Sequence, residues 1–241
     1  MMLLKWQRLP SEMQTEEVRK YYDILKKKRL SLFFKRVFDI VISFLMIVIL
    51  SPTFLVIAIA IKIDSKGPVF YRQTRITQYG KCFKIHKFRS MVVGADKKTR
   101  ITVSDDDRIT KVGRVIRKLR LDEICQLFDV LCGNMTFVGT RPEVPAFVEK
   151  YTPEMMATLL LPAGITSEAS VYFKDEALLL NSAEDAEKAY IEKILPVKMR
   201  YNLRELENFG IGRDVGIMFK TVFAVLGKEY KDDNITLNFN G

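Results

Sequence analysis

Hydrophobic and polar positions change period several times along this 241-residue chain. Residues 40–61 (IVISFLMIVILSPTFLVIAIAI) are 22 consecutive positions without a charge, which meets the ~20-residue length of a bilayer-crossing helix. The run begins far from the N-terminus, exceeds the ~7 to 15 apolar residues of a signal peptide and lacks a small-x-small cleavage site, so it is expected to persist in the mature protein. Basic residues flank both ends: Lys35 and Arg36, with Lys26, Lys27, Lys28 and Arg29 upstream, and Lys62, Lys66, Arg72 and Arg75 downstream. A simple span would place one flank outside, against the tendency of Lys and Arg to stay cytoplasmic. A re-entrant hairpin bent at Ser51-Pro52 satisfies both flanks, because proline removes a backbone donor and the Ser51 and Thr53 hydroxyls can satisfy the freed carbonyls. Asp39 lies within one helical turn of Lys35, where its charge can be compensated. A bitopic anchor with a tolerated proline kink is the other reading of these residues.

Around this segment the pattern predicts short elements. Residues 13–30 place Val18, Tyr22, Ile24 and Leu25 along one side, as in an amphipathic helix lying on a membrane surface or a solvated charged helix. Residues 69–76 and 82–88, separated by Tyr79-Gly80, predict a β-hairpin with interleaved aromatic and basic positions. Past a loop with Asp105, Asp106 and Asp107, Val112, Val115, Ile116 and Leu119 recur at helical spacing, with Lys111, Arg114, Arg117 and Lys118 around the other side. A second helix is predicted from Asp122 to Leu131, ended by Gly133. Residues 159–166 form an apolar run ending in a turn, 183–208 a charged helix, and 211–226 a core helix or, preferably, one lying in the membrane interface. The polar stretch 231–241 reads as a frayed end.

Charge sharpens this outline. Residues 62–120 carry 17 basic and 5 acidic side chains, whereas residues 121–241 carry 12 and 19. The middle third is therefore an anion trap. Cys82, Cys125, Cys132 and the single histidine, His86, form no structural zinc pattern, and three cysteines exclude a disulfide scaffold. Asp122 and Glu123, at a predicted helix start, follow a cationic helix and precede Gly139-Thr140-Arg141-Pro142, a turn presenting another guanidinium. Carboxylates among cations suit phosphoryl transfer when a divalent ion and those cations hold the substrate phosphates.

These blocks, in this order, resemble the bacterial sugar transferases that act as monotopic polyprenol-phosphate phosphoglycosyl transferases. The likeness runs from Lys35 to Leu226. It comprises Lys35-Arg36-x-Phe38-Asp39, Ser51-Pro52, Gly67-Pro68-Val69-Phe70 with Arg72-Gln73, Lys87 to Met91, Arg108 to Gly113, Leu121-Asp122-Glu123, and Phe137-Val138-Gly139 ahead of Arg141-Pro142. The chain departs from the commoner family pattern with Ile124-Cys125 after the acidic pair, Thr140 before Arg141, and Ser167-Glu168-Ala169 after Thr166.

The resemblance implies an α+β, mainly helical fold. Its expected parts are a re-entrant membrane helix hairpin over about 36–62, a cytosolic helical domain with a small β-hairpin, and interface-lying amphipathic helices. The expected organisation is an N-terminal amphipathic extension (1–34), one membrane-associated catalytic domain (35–228) and a polar tail (229–241), in a minimal catalytic form. The implied activity is transfer of a sugar 1-phosphate from a UDP-sugar to a polyprenol (undecaprenyl) phosphate with release of UMP, initiating a bacterial surface glycan. Asp122 would be the nucleophile, Asp122 and Glu123 would bind Mg²⁺, and Lys87, Arg89, Arg117 and Arg141 would bind phosphates. Lys35, Arg36, Asp39, Ser51 and Pro52 would form the anchor. Membrane lipids are expected partners, nucleic acid is not, and a homodimer is compatible. The catalytic domain would face the cytoplasm from the bacterial inner membrane. A noncatalytic membrane adaptor with a basic surface is the alternative, and it has no use for Asp122 and Glu123.

Overall fold

The computed structural model describes residues 3–95, 107–174, 176 and 185–230. Asp105, Asp106 and the expected frayed end at 231–241 lie outside these.

Helix α1 (Glu16–Lys27) starts where the Thr15 hydroxyl accepts the Val18 N–H, with Glu16 and Glu17 in its first turn and Lys26 and Lys27 in its last. Both charge placements favour the helix dipole. Its apolar face (Val18, Tyr21, Tyr22, Leu25) is buried against Leu160, Leu206 and Phe209, and the Tyr21 hydroxyl donates to Glu154 at 2.7 Å. The expected surface-lying helix is thus corrected: α1 buries its apolar face in protein, because Leu159 to Leu161 offer it an apolar partner.

The apolar run belongs to α2 (Arg29–Asp64), which continues through Pro52 as one helix rather than as two separated by a break. Pro52 leaves the Val48 carbonyl without its amide partner, and the Ser51 hydroxyl donates to that same carbonyl at 2.8 Å. This local repair lets the helix continue where a hairpin turn was expected. Among the described residues α2 is the one helix long and apolar enough to cross a membrane, and 11% of its most apolar stretch is buried within the protein. Phe44, Val48, Ile49, Leu55 and Val56 are exposed on it. A soluble core helix would bury such side chains; their exposure marks a membrane-associated protein.

Both ends of α2 are tied to the rest of the fold. Arg36 donates to the Val130 and Leu131 carbonyls at 2.6 and 2.9 Å, and Lys35 pairs with Asp214. Asp39, fully buried, accepts the Thr136 hydroxyl at 2.7 Å and the Phe137 N–H at 3.3 Å. At the far end Asp64 accepts the Val112 N–H at 2.9 Å. Between them Phe38, Ile42, Met46 and Leu50 pack on a core that includes Leu127, Val130 and Phe137. Asp39→Ala should therefore cost about 1–3 kcal/mol, the penalty for stranding two buried donors. A lowered melting temperature in detergent would show it; an unchanged one would make Asp39 dispensable.

The hairpin forms as expected from β1 (Phe70–Ile76) and β2 (Cys82–Phe88). Register pairs Tyr71 with Lys87, Gln73 with Ile85 and Arg75 with Phe83, so these six side chains share one face. Helix α3 (Lys111–Lys118) is capped by the Thr110 hydroxyl. A 3₁₀ turn (Leu121–Glu123) leads to α4 (Gln126–Cys132), which ends at Gly133 in the left-handed conformation. Next comes β3 (Met135–Val138), then α5 (Pro145–Val148) and β4 (Ala163–Thr166), which pairs in parallel with β3. This second sheet was not expected. The remaining helices are α6 (Glu168–Tyr172), α7 (Ala186–Ala189), α8 (Leu195–Glu207), preceded by a π-helical turn, and α9 (Ile211–Val225). In α9 Ile217 and Ala224 are buried while Phe219, Val222 and Phe223 are exposed, which suits the interface reading of 211–226.

Candidate functional site

Asp122 and Glu123 occupy the 3₁₀ turn between α3 and α4, not the first turn of an α-helix as expected. Arg120 enters the turn with φ 56, a left-handed conformation uncommon for a side chain with a Cβ; its guanidinium donates to the Lys174 carbonyl at 2.9 Å.

The two carboxylates have opposite surroundings. Glu123 is gripped by two cations. Lys87 donates to its Oε1 at 2.8 Å, and Arg141 approaches as a fork, to Oε2 at 3.1 Å and also to Oε1. Burial alone would push this acid up, but the charges and hydrogen bonds of Arg141 and Lys87 outweigh it and hold Glu123 well below the usual range. Asp122 is buried, at 7% exposure. Among the described residues no hydrogen bond or ion pair reaches its carboxylate. Burial, and secondly the charge of Glu123, raise its pKa; Lys87, Arg117 and Arg120 oppose them without cancelling the shift. The pair therefore comprises one paired carboxylate held toward its charged form and one unpartnered carboxylate that is easier to protonate.

Several elements converge here. Lys87 comes from the hairpin face described above. Arg141 comes from the segment after β3, where it also donates to the Ile165 carbonyl of β4 at 3.4 Å. That segment is set by a close backbone approach, with the Gly139 N–H donating to Thr166 O at 2.9 Å and the Gly164 N–H to Thr140 O at 2.8 Å. Arg117, in the last turn of α3, acts on Asp122 through its charge.

Arg89 stands apart. It is buried, at 4% exposure, and donates to the Lys66 and Ser65 carbonyls at 2.6 and 2.7 Å. Its hydrogen bonds thus fasten the chain leaving α2 rather than the acidic pair. Arg75, absent from the expected set, lies on the Lys87 face, and burial lowers its pKa against the pull of Glu143. The signal for it was in the sequence: Arg75 and Lys87 fall on one face once the hairpin register is set. Cys125 is fully buried, and burial, followed by Asp122 and Asp129, pushes its thiol up to about 12. It packs as a neutral hydrophobe rather than a nucleophile.

Comparison with known proteins identifies the family. A family model described as bacterial sugar transferase matches residues 30–228. The chain is 36% identical over 198 residues to a UDP-N-acetylgalactosamine-undecaprenyl-phosphate N-acetylgalactosaminephosphotransferase of Aeromonas hydrophila, covering 80% of this chain and 44% of that protein. It is 35% identical over 193 residues to a UDP-glucose:undecaprenyl-phosphate glucose-1-phosphate transferase of Escherichia coli (strain K12), covering 78% and 39%. Against the exopolysaccharide production protein ExoY of Sinorhizobium fredii the identity is 30% over 207 residues, covering 79% and 84%. The chain spans about two-fifths of the length of the first two of these relatives.

Proposed function

Since the chain belongs to the bacterial sugar transferase family, we propose that it transfers a sugar 1-phosphate from a UDP-sugar to a polyprenol phosphate, releasing UMP, at the cytoplasmic face of the bacterial inner membrane. Asp122 is the nucleophile. The observation that carries this reading is the asymmetry of the acidic pair: Glu123 is held by Lys87 and Arg141, while the Asp122 carboxylate is unpartnered among the described residues and sits in the field of Lys87, Arg117 and Arg120. A free anion surrounded by cations can approach a phosphate that those cations also attract.

In the first step an Asp122 carboxylate oxygen forms a bond to the sugar-proximal phosphorus, and the bond from that phosphorus to the UMP oxygen breaks, UMP leaving with the electron pair. In the second a phosphate oxygen of the polyprenol phosphate attacks the same phosphorus and returns Asp122 as a carboxylate. Covalent capture divides one displacement between two anionic substrates into two. Arg141 and Lys87, released in part from Glu123, grip the donor phosphates, the guanidinium with two parallel hydrogen bonds. Glu123 serves as the counter-ion that keeps both cations in place before the donor arrives.

Of the two carboxylates only Asp122 is open to magnesium, an ion that usually takes few protein ligands. Among the described residues no third His, Cys, Asp or Glu joins the two carboxylates, and Glu123 is already paired, so Asp122, water and donor phosphates would be the ligands. When bound, the ion would neutralise phosphate charge.

Although α2 runs through Pro52 as one helix, we propose that both of its ends lie on the cytoplasmic side. Lys35 and Arg36 at one end and Asp64 at the other contact the same folded unit, and both basic flanks prefer the cytoplasmic side. No observation favours the adaptor. The test is incubation with UDP-sugar and Mg²⁺ without acceptor. Intact mass should rise by one sugar phosphate with stoichiometric UMP release; a strict requirement for both substrates before any UMP appears would sink the covalent mechanism.

A further inference from the structure

Beyond the acidic pair, a cluster of buried charge lies around Glu143, two residues after Arg141, and the transfer chemistry makes no use of it. Glu143 is 7% exposed. Its Oε1 accepts the Tyr190 hydroxyl at 2.5 Å, and that hydroxyl accepts from Lys198 at 3.1 Å. Lys198 also donates to Glu176 at 2.8 Å. On the other side Arg75 Nη1 stands 4.0 Å from Glu143 Oε2 and donates to the Pro142 carbonyl at 3.2 Å. Arg75 Nε and Nη2 both donate to Gln73 Oε1, at 3.1 and 2.7 Å, and the Ile76 N–H donates to Glu143 O at 2.9 Å. The segment after Arg141 is thus held from the hairpin by Arg75 and Ile76, and from the helical layer by Tyr190.

Arg75 makes no hydrogen bond to Asp122 or Glu123 in this arrangement. Its donors go to the segment that carries Arg141 and to the Gln73 side chain that braces it. A guanidinium bridging two acceptors in a fixed fork is a geometry that lysine cannot reproduce, and buried ion pairs of this kind serve definition of one conformation better than raw stability. We propose that Arg75 and Glu143 are positioning residues of the transfer reaction, which together fix the Arg141 segment so that the Arg141 guanidinium meets the donor phosphates. This rests on the reading of Arg141 as a phosphate-binding group given above.

The test is a double-mutant cycle on the full-length protein in bilayer nanodiscs, read as KM for the UDP-sugar and as kcat per active site counted by the UMP burst. Arg75→Lys should raise the donor KM by about tenfold, in line with the loss from displacing a binding group by a fraction of an ångström. In an Arg141→Lys background the same substitution should add less than about twofold, because residues acting through one another are not additive. Glu143→Gln keeps the shape and an acceptor for Tyr190 but drops the charge facing Arg75, and it should show the same KM rise and the same non-additivity. Equal factors in both backgrounds, or an unchanged KM in Arg75→Lys, would overturn the proposal. So would a loss confined to melting temperature and active-site count at constant KM, the signature of a purely structural role. If Arg75→Lys does not fold, the Glu143→Gln cycle decides alone. Wild type and the Arg141→Lys single variant separate the two levels. A wild type without UMP release, or an Arg141→Lys variant with unchanged KM, removes the functional reading itself, whereas an active wild type, a weakened Arg141→Lys and an additive cycle remove only the positioning role.

Discussion

Asp122→Asn should lower turnover by about 10⁴-fold, on the scale seen when a covalent nucleophile is deleted, and should yield a protein that melts above the wild type. The first effect follows from chemistry: the amide keeps the shape but has neither the charge nor the lone-pair basicity to attack phosphorus. The second follows from the raised pKa, caused first by burial and then by the charge of Glu123. A carboxyl that binds its proton more tightly folded than unfolded contributes stability that is fully present below its ordinary unfolded pKa. That contribution is lost as pH rises through the folded value. Above that folded value the wild type carries an unpaired buried anion, and asparagine removes it for a gain of about 0.5–2 kcal/mol. The gain should vanish in acid, where Asp122 is neutral in both states. Thermal melts of both proteins from about pH 3, below the ~3.9 of an unfolded aspartate, to about pH 8, beside UMP release, check this. A destabilised Asp122→Asn would mean that the carboxylate has a partner in the resting enzyme.

Gly164→Ala should be severely damaging to the site. A Cβ at Gly164 would stand 2.2 Å from Gly139 O and 2.3 Å from Gly139 N, and both are backbone atoms of the segment that leads from β3 to Arg141. Neither can rotate away. The β3–β4 pairing must open, at about 3 kcal/mol or more, which for a domain of this size is a loss of about 6–12 °C in melting temperature. Activity should fall further than the folded fraction, because Arg141 loses its reference to Glu123. Gly212→Ala is the control. Nothing lies within 4 Å of a Cβ there, in a helix where alanine is the better former, so stability should hold or rise. If Gly164→Ala melts with the wild type, the close approach is not what shapes the site.

What the chain disclosed in advance followed its periodicities. The hairpin was legible because aromatic and basic residues alternate on both sides of Tyr79-Gly80, and both strands fall within a residue of the expected ranges. Helix α3 was legible because its apolar stripe repeats at helical spacing. The β3–β4 sheet was not. All four residues of β3 are buried, so no alternation betrays a strand, and its partner lies beyond an intervening helix. For α1 the amphipathic pattern was right and its consequence wrong, since a hydrophobic stripe does not reveal whether lipid or protein will cover it. Among the cations, Arg141 and Lys87 were read from local motif context and lie together on Glu123. Arg89 sits in the same run as Lys87 but points to the chain leaving α2. Arg75 emerged only with the cross-strand register, which is a long-range property.

The ties at the two ends of α2 also set an order of events during synthesis. Arg36 waits for carbonyls 94 positions further along the chain, and Lys35 for a carboxylate 179 positions on. At 5–20 residues per second the latter is a delay of roughly ten seconds or more. Through the first half of that interval the apolar helix is already made while the Val130 carbonyl, the Thr136 hydroxyl and Asp214 are not. The ties of α2 therefore close in order, and α9, the last helix among the described residues, completes its charge pairing. A nascent chain truncated before Asp214 would leave Lys35 with only Asp39, one turn along the same helix, as a neighbouring acid, so the tie to α9 is the last of these to form.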